Sequence, residues 1–421
     1  MPEQSKSGAS TAVSARASDA WITALSNLVA VRSPLSGPLA ERLAGRAELT
    51  KTQRVRLERL RPWAGRITNP PPARDVPPGE ISFGVLGYRA ADYVAASRNI
   101  GDWVQTLAMM SHLVRRPDVR LTGQADLAKL FTGLQSSVPD DRRIDGPSST
   151  VHLVEFNRDA SSYDSLPSDT WAFVFGWYFK LPFGRHPEFP LNPRIIPIFL
   201  SFHVSRGDQL SDLAFDYLRA HAPIGCRDWF TVRLLRSRGI PAYFSGCVTT
   251  TVGSLFPPVA PDPSKPVAYV DVAAPADDDQ TGDAVEVTNL INGLRDKPLA
   301  GSLTDAITRL NSYRNDYSRI VTSRLHTLLP SLACGLTVDW QPKDPDDRRF
   351  EGLAGPTAEP LGDMAARVSR IAKVALDAIL AGKSKSDVYA VYRDEVAADL
   401  DATDKHLAAD KKVAVSAAAG K

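Results

Sequence analysis

The chain has 421 residues, 43% hydrophobic and 23% charged, the composition of a globular protein long enough for two domains and an extension. A formal net charge of +2 excludes a general polyanion binder, so no nucleic-acid partner is expected. Three scattered cysteines, Cys226, Cys247 and Cys334, suit neither a disulfide framework nor a zinc site and fit a reducing compartment, here expected to be the cytoplasm.

Residues 1–19 are polar and small and are expected to be disordered, with no apolar core of a secretory signal. Residues 20–80 read as a helical arm followed by a proline-rich linker at 69–79. Within the arm, Leu49 to Trp63 interleaves apolar residues with Lys51, Arg54, Arg56, Arg59 and Arg61. One reading is a solvated helix face with snorkelling arginines. The other is a basic surface, residues 49–66, that docks on an anionic membrane or a lipid-linked acceptor and places the protein at the inner membrane face.

From Ile81 the pattern changes. Ile81–Tyr88, Val151–Phe156, Trp171–Phe175, Ile195–Phe202, Ile224–Cys226 and Ala242–Thr250 read as strands. Helices are expected at 102–114, 210–220 and 228–238. This is a mostly parallel, doubly wound unit over 81–252. A second linker covers 253–266, and a second α/β unit covers 267–400, with helices near 303–313, 361–381 and 385–400. Residues 401–421 read as a flexible tail. The fold class is thus α/β: two Rossmann-like domains with a helical N-terminal extension, and a ligand cleft at the strand carboxyl ends.

Candidate chemistry collects where strands pass into helices. In Arg319-Ile320-Val321-Thr322-Ser323-Arg324-Leu325-His326, Thr322 and Ser323 read as helix caps, and a helix follows with Leu325, Leu328, Leu329 and Leu332 on one face. Unpaired N–H groups at a helix start favour an anion. Arg324 supplies a permanent forked cation there, and His326 a group able to move a proton near neutral pH. Ile224-Gly225-Cys226-Arg227-Asp228 repeats the construction, with Asp228 as N-cap and Arg227 at a strand end. His203, after the strand Ile195–Phe202, is either a satisfied structural group or a functional one. Asp102, in Asn99-Ile100-Gly101-Asp102-Trp103, is either a base or a helix cap. Nothing calls for a metal.

Taken together, these segments resemble the polysaccharide pyruvyl transferase family. The match runs in order over about residues 81–355. It comprises Asn99-Ile100-Gly101-Asp102-Trp103-Val104-Gln105; Gly176-Trp177 with Pro197 to His203; Ile224 to Asp228; Ala242-Tyr243-Phe244-Ser245-Gly246-Cys247; Val321 to His326; and Arg349-Phe350-Glu351-Gly352-Leu353. The chain departs from the family at Asn289, where a histidine is often found, and at Phe175, where an asparagine is common. The resemblance implies a glycosyltransferase-B-like fold of two facing Rossmann-like domains. It implies transfer of a pyruvyl group from phosphoenolpyruvate to sugar hydroxyls as a ketal, with no cofactor and no metal. It assigns donor binding to Arg324, Arg227 and Leu325. It assigns proton transfer to His326 and His203, with Asp102 as a further catalytic candidate. The acceptor is a polysaccharide or lipid-linked oligosaccharide in exopolysaccharide biosynthesis. Two rivals stand beside this: a B-type glycosyltransferase using a nucleotide sugar, with Glu286 and Glu351 available to it, and a non-catalytic sugar-binding member of the family.

Overall fold

A computed structural model describes residues 5–31, 33–69, 72–88, 97–158, 161–178, 189–257, 259–260, 262–275, 284–291 and 297–419. Three helices come first: α1 (Ser5–Ala30), α2 (Ser36–Ala44) and α3 (Lys51–Thr68). A capping box starts α3: Thr50 Oγ1 accepts from the Gln53 N–H at 3.3 Å, and Gln53 Oε1 accepts from the Thr50 N–H at 3.0 Å. Ile22, Leu25, Val29, Leu43, Leu57, Leu60 and Trp63 form a core of their own, separate from the main one. Helix α1 therefore runs through most of the stretch expected to be disordered. Arg54, Arg56, Arg59 and Arg61 of α3 are exposed, and two are tied within the bundle, Arg56 to Asp19 at 3.3 Å and Arg61 to Glu41 at 3.1 Å. No described helix is long and apolar enough to cross a membrane.

The linker at 69–79 leads to the first α/β unit, although Pro70 and Pro71 lie outside the described residues. This unit contains β1 (Ile81–Gly87), α4 (Ile100–Val114), β2 (Val119–Gly123), α5 (Ala125–Ser137), β3 (Ser149–Asn157), β4 (Thr170–Trp177) and β5 (Ile195–His203). It continues with α6 (Asp212–Ala220), β6 (Ile224–Cys226), α7 (Trp229–Ser237) and β7 (Ala242–Phe244). All pairs are parallel, in the order β2-β3-β1-β4-β5-β6-β7. Strand β5 is buried along its whole length and β4 up to its last residue, which explains their near-continuous apolar runs.

The second sheet is smaller. It holds β8 (Val267–Val270), β9 (Ala284–Val287), β10 (Arg319–Thr322) and β11 (Val338–Trp340), parallel in the order β11-β10-β8-β9, with α8 (Leu299–Asp316) and α9 (Leu325–Ala333) beside it. The model is thus α/β with two parallel sheets. The helices at the C-terminal end of the expected second unit go elsewhere. Tyr389 and Tyr392 of α11 (Lys385–Glu395) donate their hydroxyls to the carbonyls of Pro197 and Phe199 on β5, at 2.7 and 3.0 Å. Asp377 of α10 (Leu361–Leu380) receives Arg116 at 2.6 Å. The expected tail is helix α12 (Ala397–Ala419), held where His406 stacks on Trp229 at 3.8 Å. The chain crosses to the second sheet and returns to the first, which periodicity alone cannot reveal.

Helix α4 is surrounded, with all fifteen of its residues buried. One flank packs on the first sheet, the other on α8, α9 and the 3-10 segment Val248–Leu255. Leu303, Leu310, Leu328 and Leu329 thereby join the core of the first unit. The same 3-10 segment opens the expected linker at 253–266, of which Pro258 and Pro261 lie outside the described residues. Its Gly253 passes so close to α9 that an added Cβ would stand 1.9 Å from the Ala333 carbonyl oxygen. Gly253→Ala should therefore destabilise the fold by about 1–3 kcal/mol, the range for overpacking. Gly65→Ala in α3, where a Cβ meets nothing within 4 Å, should stabilise by about 0.5–1 kcal/mol. Urea unfolding of the two variants checks the pair; equal behaviour would refute the contact.

Candidate functional site

In each sheet, the strand order reverses at one point, and crevices form there beyond the carboxyl ends. In the first sheet the reversal lies between β1 and β4, in the second between β8 and β10. The segments after those strands meet in one cleft of about 230 Å³. Asn99 and Asp102 enter it after β1, Trp177 from the end of β4, and Arg227 after β6. Ser323, Arg324, Leu325 and His326 follow β10, and Lys343, Asp344, Asp347, Arg349 and Phe350 follow β11.

The two units are stitched at the cleft. The Ile100 N–H donates to the Asn289 carbonyl and the Ile291 N–H to the Arg98 carbonyl, both at 2.9 Å, as Asn99 and Leu290 form an antiparallel bridge. Asn99 caps α4 through the Gly101 N–H at 3.2 Å, so Asp102 is not the cap. The Asp102 carboxylate accepts from the Ser97 hydroxyl at 2.5 Å and from Gln105 Nε2 at 3.3 Å, and it lies on the cleft wall. Gly101 is required: an added Cβ would stand 2.6 Å from His326 Cβ. Asn289, which stands where the family often has a histidine, is buried. It donates to Thr327 Oγ1 at 2.6 Å and accepts from the Tyr313 hydroxyl at 2.7 Å, and so ties α8 to α9.

Arg324 is itself the N-cap of α9, and no side chain caps that helix. Thr322 and Ser323, expected as caps, do not cap it; Thr322 Oγ1 accepts the Arg324 N–H, at 3.0 Å. The Thr322 hydroxyl donates to the Val270 carbonyl, and the Ser323 hydroxyl to the Asp271 carbonyl. The Leu325 and His326 N–H groups thus have no side-chain cap, while the Thr327 N–H donates to the Arg324 carbonyl at 3.0 Å. Arg324 Nε donates to Asp271 at 3.0 Å. That fixes the side chain and leaves its two terminal nitrogens for a ligand. Asp271 is itself tied by the Thr288 hydroxyl at 2.7 Å.

Arg227 is buried, with Nε 3.6 Å from Asp228. Asp228 caps α7 as expected, accepting the Thr231 N–H and hydroxyl on one oxygen, each at 2.9 Å. Its other oxygen stands 2.5 Å from His203 Nδ1. Burial alone would push the Asp228 carboxyl up, but His203, Arg227 and the Thr231 N–H outweigh it and hold it below the usual carboxylate range. Burial, then the Arg227 charge, pushes His203 down to about 4. The pair is therefore carboxylate and neutral imidazole, with the ring proton on Nδ1. His203 has no solvent exposure and does not line the cleft.

His326 does line the cleft, but it is not the near-neutral group expected. Burial, Arg227, His203 and Arg349 together drive it well below the ordinary histidine value. Its Nε2 is buried with no hydrogen-bond partner. A negative charge brought close to this ring would offset the guanidinium groups and raise its proton affinity.

The structure thus brings together Arg324, Leu325, His326, Arg227 and Asp102, and sets His203 one layer behind. It adds Arg349, whose guanidinium lies 4.9 Å from the Trp177 ring centre and is braced by Asp347. Arg349 and Trp177 were visible only as pieces of motif. Lys343, Asp344 and Asp347 carried no signal in sequence. No family model matches this chain, and neither does any curated protein or solved structure.

A pH dependence follows. His112, with neither ring nitrogen partnered, is held down to about 3 by burial, His203 stands at about 4, and His326 lies well below 6.5. Unfolding restores ordinary values, so below that pH the unfolded chain binds more protons and stability falls. Each histidine contributes a slope of up to about 1.4 kcal/mol per pH unit until its folded value is reached. Asp164, raised to about 7 by burial, works in the opposite sense and offsets one of the three. Denaturant titrations at steps between pH 7.5 and 5 should show a net loss of stability; a flat profile would contradict the neutral histidines.

Proposed function

We propose that this chain transfers the pyruvyl group of phosphoenolpyruvate to two hydroxyls of a sugar, forming a ketal, as the polysaccharide pyruvyl transferases it resembles do. The observation that carries the reading is one cleft lined by three guanidinium groups, Arg227, Arg324 and Arg349, together with His326. In this reading the two sheets face each other as in the glycosyltransferase-B arrangement, with the donor between their carboxyl ends.

Phosphoenolpyruvate carries a carboxylate and a phosphate. The Arg324 fork, the uncapped N–H groups of Leu325 and His326, Arg227 and Arg349 divide them. The donor's negative charge offsets the guanidinium field at His326 and raises its proton affinity. His326 then gives its proton to the donor's methylene carbon, which becomes the methyl group. The first sugar hydroxyl adds to the adjacent carbon and its proton returns to His326. The carbon–oxygen bond to phosphate breaks, the second hydroxyl closes the ketal, and its proton leaves on the phosphate. Two hydroxyl protons thus end on the methyl group and the phosphate. The cationic cluster holds the charge of the departing phosphate. Asp102 faces the cleft as an acceptor for the incoming hydroxyl. The acceptor is a saccharide, polymeric or lipid-linked.

The nucleotide-sugar alternative lacks support at the residues it would recruit. Glu351 pairs with Arg233, and Glu286 accepts the Ala274 N–H, away from the cleft lining.

Phosphoenolpyruvate should raise the melting temperature, and UDP-sugars should not; the reverse would favour glycosyl transfer. Because binding raises the His326 pKa, binding should take up protons and tighten as pH falls. Calorimetry in buffers of different ionisation enthalpy measures that uptake. Arg324→Lys should weaken donor binding by about 1–3 kcal/mol. His326→Gln should lower kcat by about 10²–10⁴ with little change in donor affinity. Near-normal turnover of His326→Gln would make His326 structural.

A further inference from the structure

His203 has the sequence position of a proton-transfer group but the surroundings of a brace. It is wholly buried and absent from the cleft wall, while two neighbours on that wall are cationic. We propose that His203 is a positioning residue that sets two of the three cleft guanidinium groups, Arg227 through Asp228 and Arg349 through Trp177. The inference rests on the anion-donor reading of the cleft for its functional consequence, but not for its geometry.

Toward Arg227 the connection is polar. His203 Nδ1 hydrogen-bonds Thr231 Oγ1 at 3.0 Å and lies 2.5 Å from one oxygen of Asp228, and the same oxygen stands 3.6 Å from Arg227 Nε. The other oxygen is anchored by the Thr231 N–H and hydroxyl, so the carboxylate cannot turn. The Arg227 N–H in turn donates to the Phe202 carbonyl at 2.8 Å, one residue before His203. An aliphatic residue at 203 would leave the Asp228 oxygen short of a donor and free to draw Arg227 out of the cleft.

Toward Arg349 the connection is aromatic. The His203 and Trp177 rings lie 5.9 Å apart, and the Arg349 guanidinium stands 4.9 Å from the Trp177 ring centre. Trp177 and His203 are paired in register at the last rung between β4 and β5. The backbone just before them is distorted in both strands. The register shifts between Val174 and Gly176, Gly176 has φ +85°, and Ser201 has φ +67°. A serine held at positive φ and a bulge on the same rung are features kept to aim side chains. Ser245 and Val248 hold Ser201 there: its N–H donates to Ser245 Oγ, and its Oγ accepts the Val248 N–H, both at 3.0 Å.

The substitutions that separate the roles exploit ring geometry. An asparagine side-chain nitrogen takes the place of Nδ1 and cannot titrate at these pH values, whereas alanine removes the donor. His203→Ala should raise the KM for phosphoenolpyruvate tenfold or more, with a smaller change in kcat, and His203→Asn should recover most of that loss. The low-pH and high-pH limbs of the kcat profile should be the same in wild type and His203→Asn. A hundredfold fall in kcat for His203→Asn, or loss of one limb, would overturn the proposal and make His203 the proton acceptor. Nitrogen-15 NMR of histidine-labelled protein tests the brace without any donor. His203 should remain in the neutral Nδ1–H form from pH 8 to 5.5, and protonation within that range would overturn it. Should wild type fail to bind phosphoenolpyruvate in calorimetry, the donor reading falls. The brace is then judged by the NMR result alone.

Discussion

Everything in this molecule depends on the burial of α4. A helix buried along its whole length must be covered by two layers, and here the layers belong to different sheets. The second sheet, with four short strands, has few buried residues that are not shared. Its helices α8 and α9 obtain much of their apolar cover from α4 and from the 3-10 segment Val248–Leu255. The same packing brings the start of α4 against the start of α9. Gly101 is what lets them meet, since His326 occupies the space that any larger residue at 101 would need. The cleft is therefore a product of core packing as much as of loop placement.

Electrostatics then explains why so many charges tolerate so little water. Each cationic group is tethered by an acid on its own segment or sheet: Arg324 by Asp271, Arg349 by Asp347 and Arg227 by Asp228. Such pairs fix direction more than they add stability, because burying both partners costs much of what their attraction returns. At Arg324 the pair uses Nε alone. In the proposed reading His326, uncharged in this field, is the group that gains a proton when the anionic donor binds.

Much of this arrangement was readable in sequence, and the parts that were not share a cause. Strand-to-helix junctions are local, so the apolar run before Arg324 and the Asp228 cap before α7 announced themselves. The alternation of strands and helices gave both sheets. Non-local choices left no trace. Nothing in the amphipathic pattern of α10 and α11 says which sheet they cover, and Tyr392 reaches Phe199 across almost half the chain. Capping was misassigned at α9 because Thr322 and Ser323 spend their hydroxyls on carbonyls of β8 and the residue after it, neighbours that only the fold supplies. The turn holding Lys343 and Asp347 has the composition of any solvated loop, and its place on the cleft follows from β11 lying at the edge of its sheet beside β10.

The histidines carry the clearest lesson about reading chemistry from residue type. His203 and His326 look equivalent in sequence, each at the carboxyl end of a strand. The structure gives one a carboxylate and no access, and the other access and no carboxylate. A buried imidazole donating to a fixed carboxylate is well placed to hold geometry. An imidazole without such a partner, surrounded by guanidinium groups, is a poor acid on its own and becomes a good one only when a ligand brings negative charge. In the proposed reading, coupling protonation to occupancy in this way keeps His326 silent until the anionic donor has arrived.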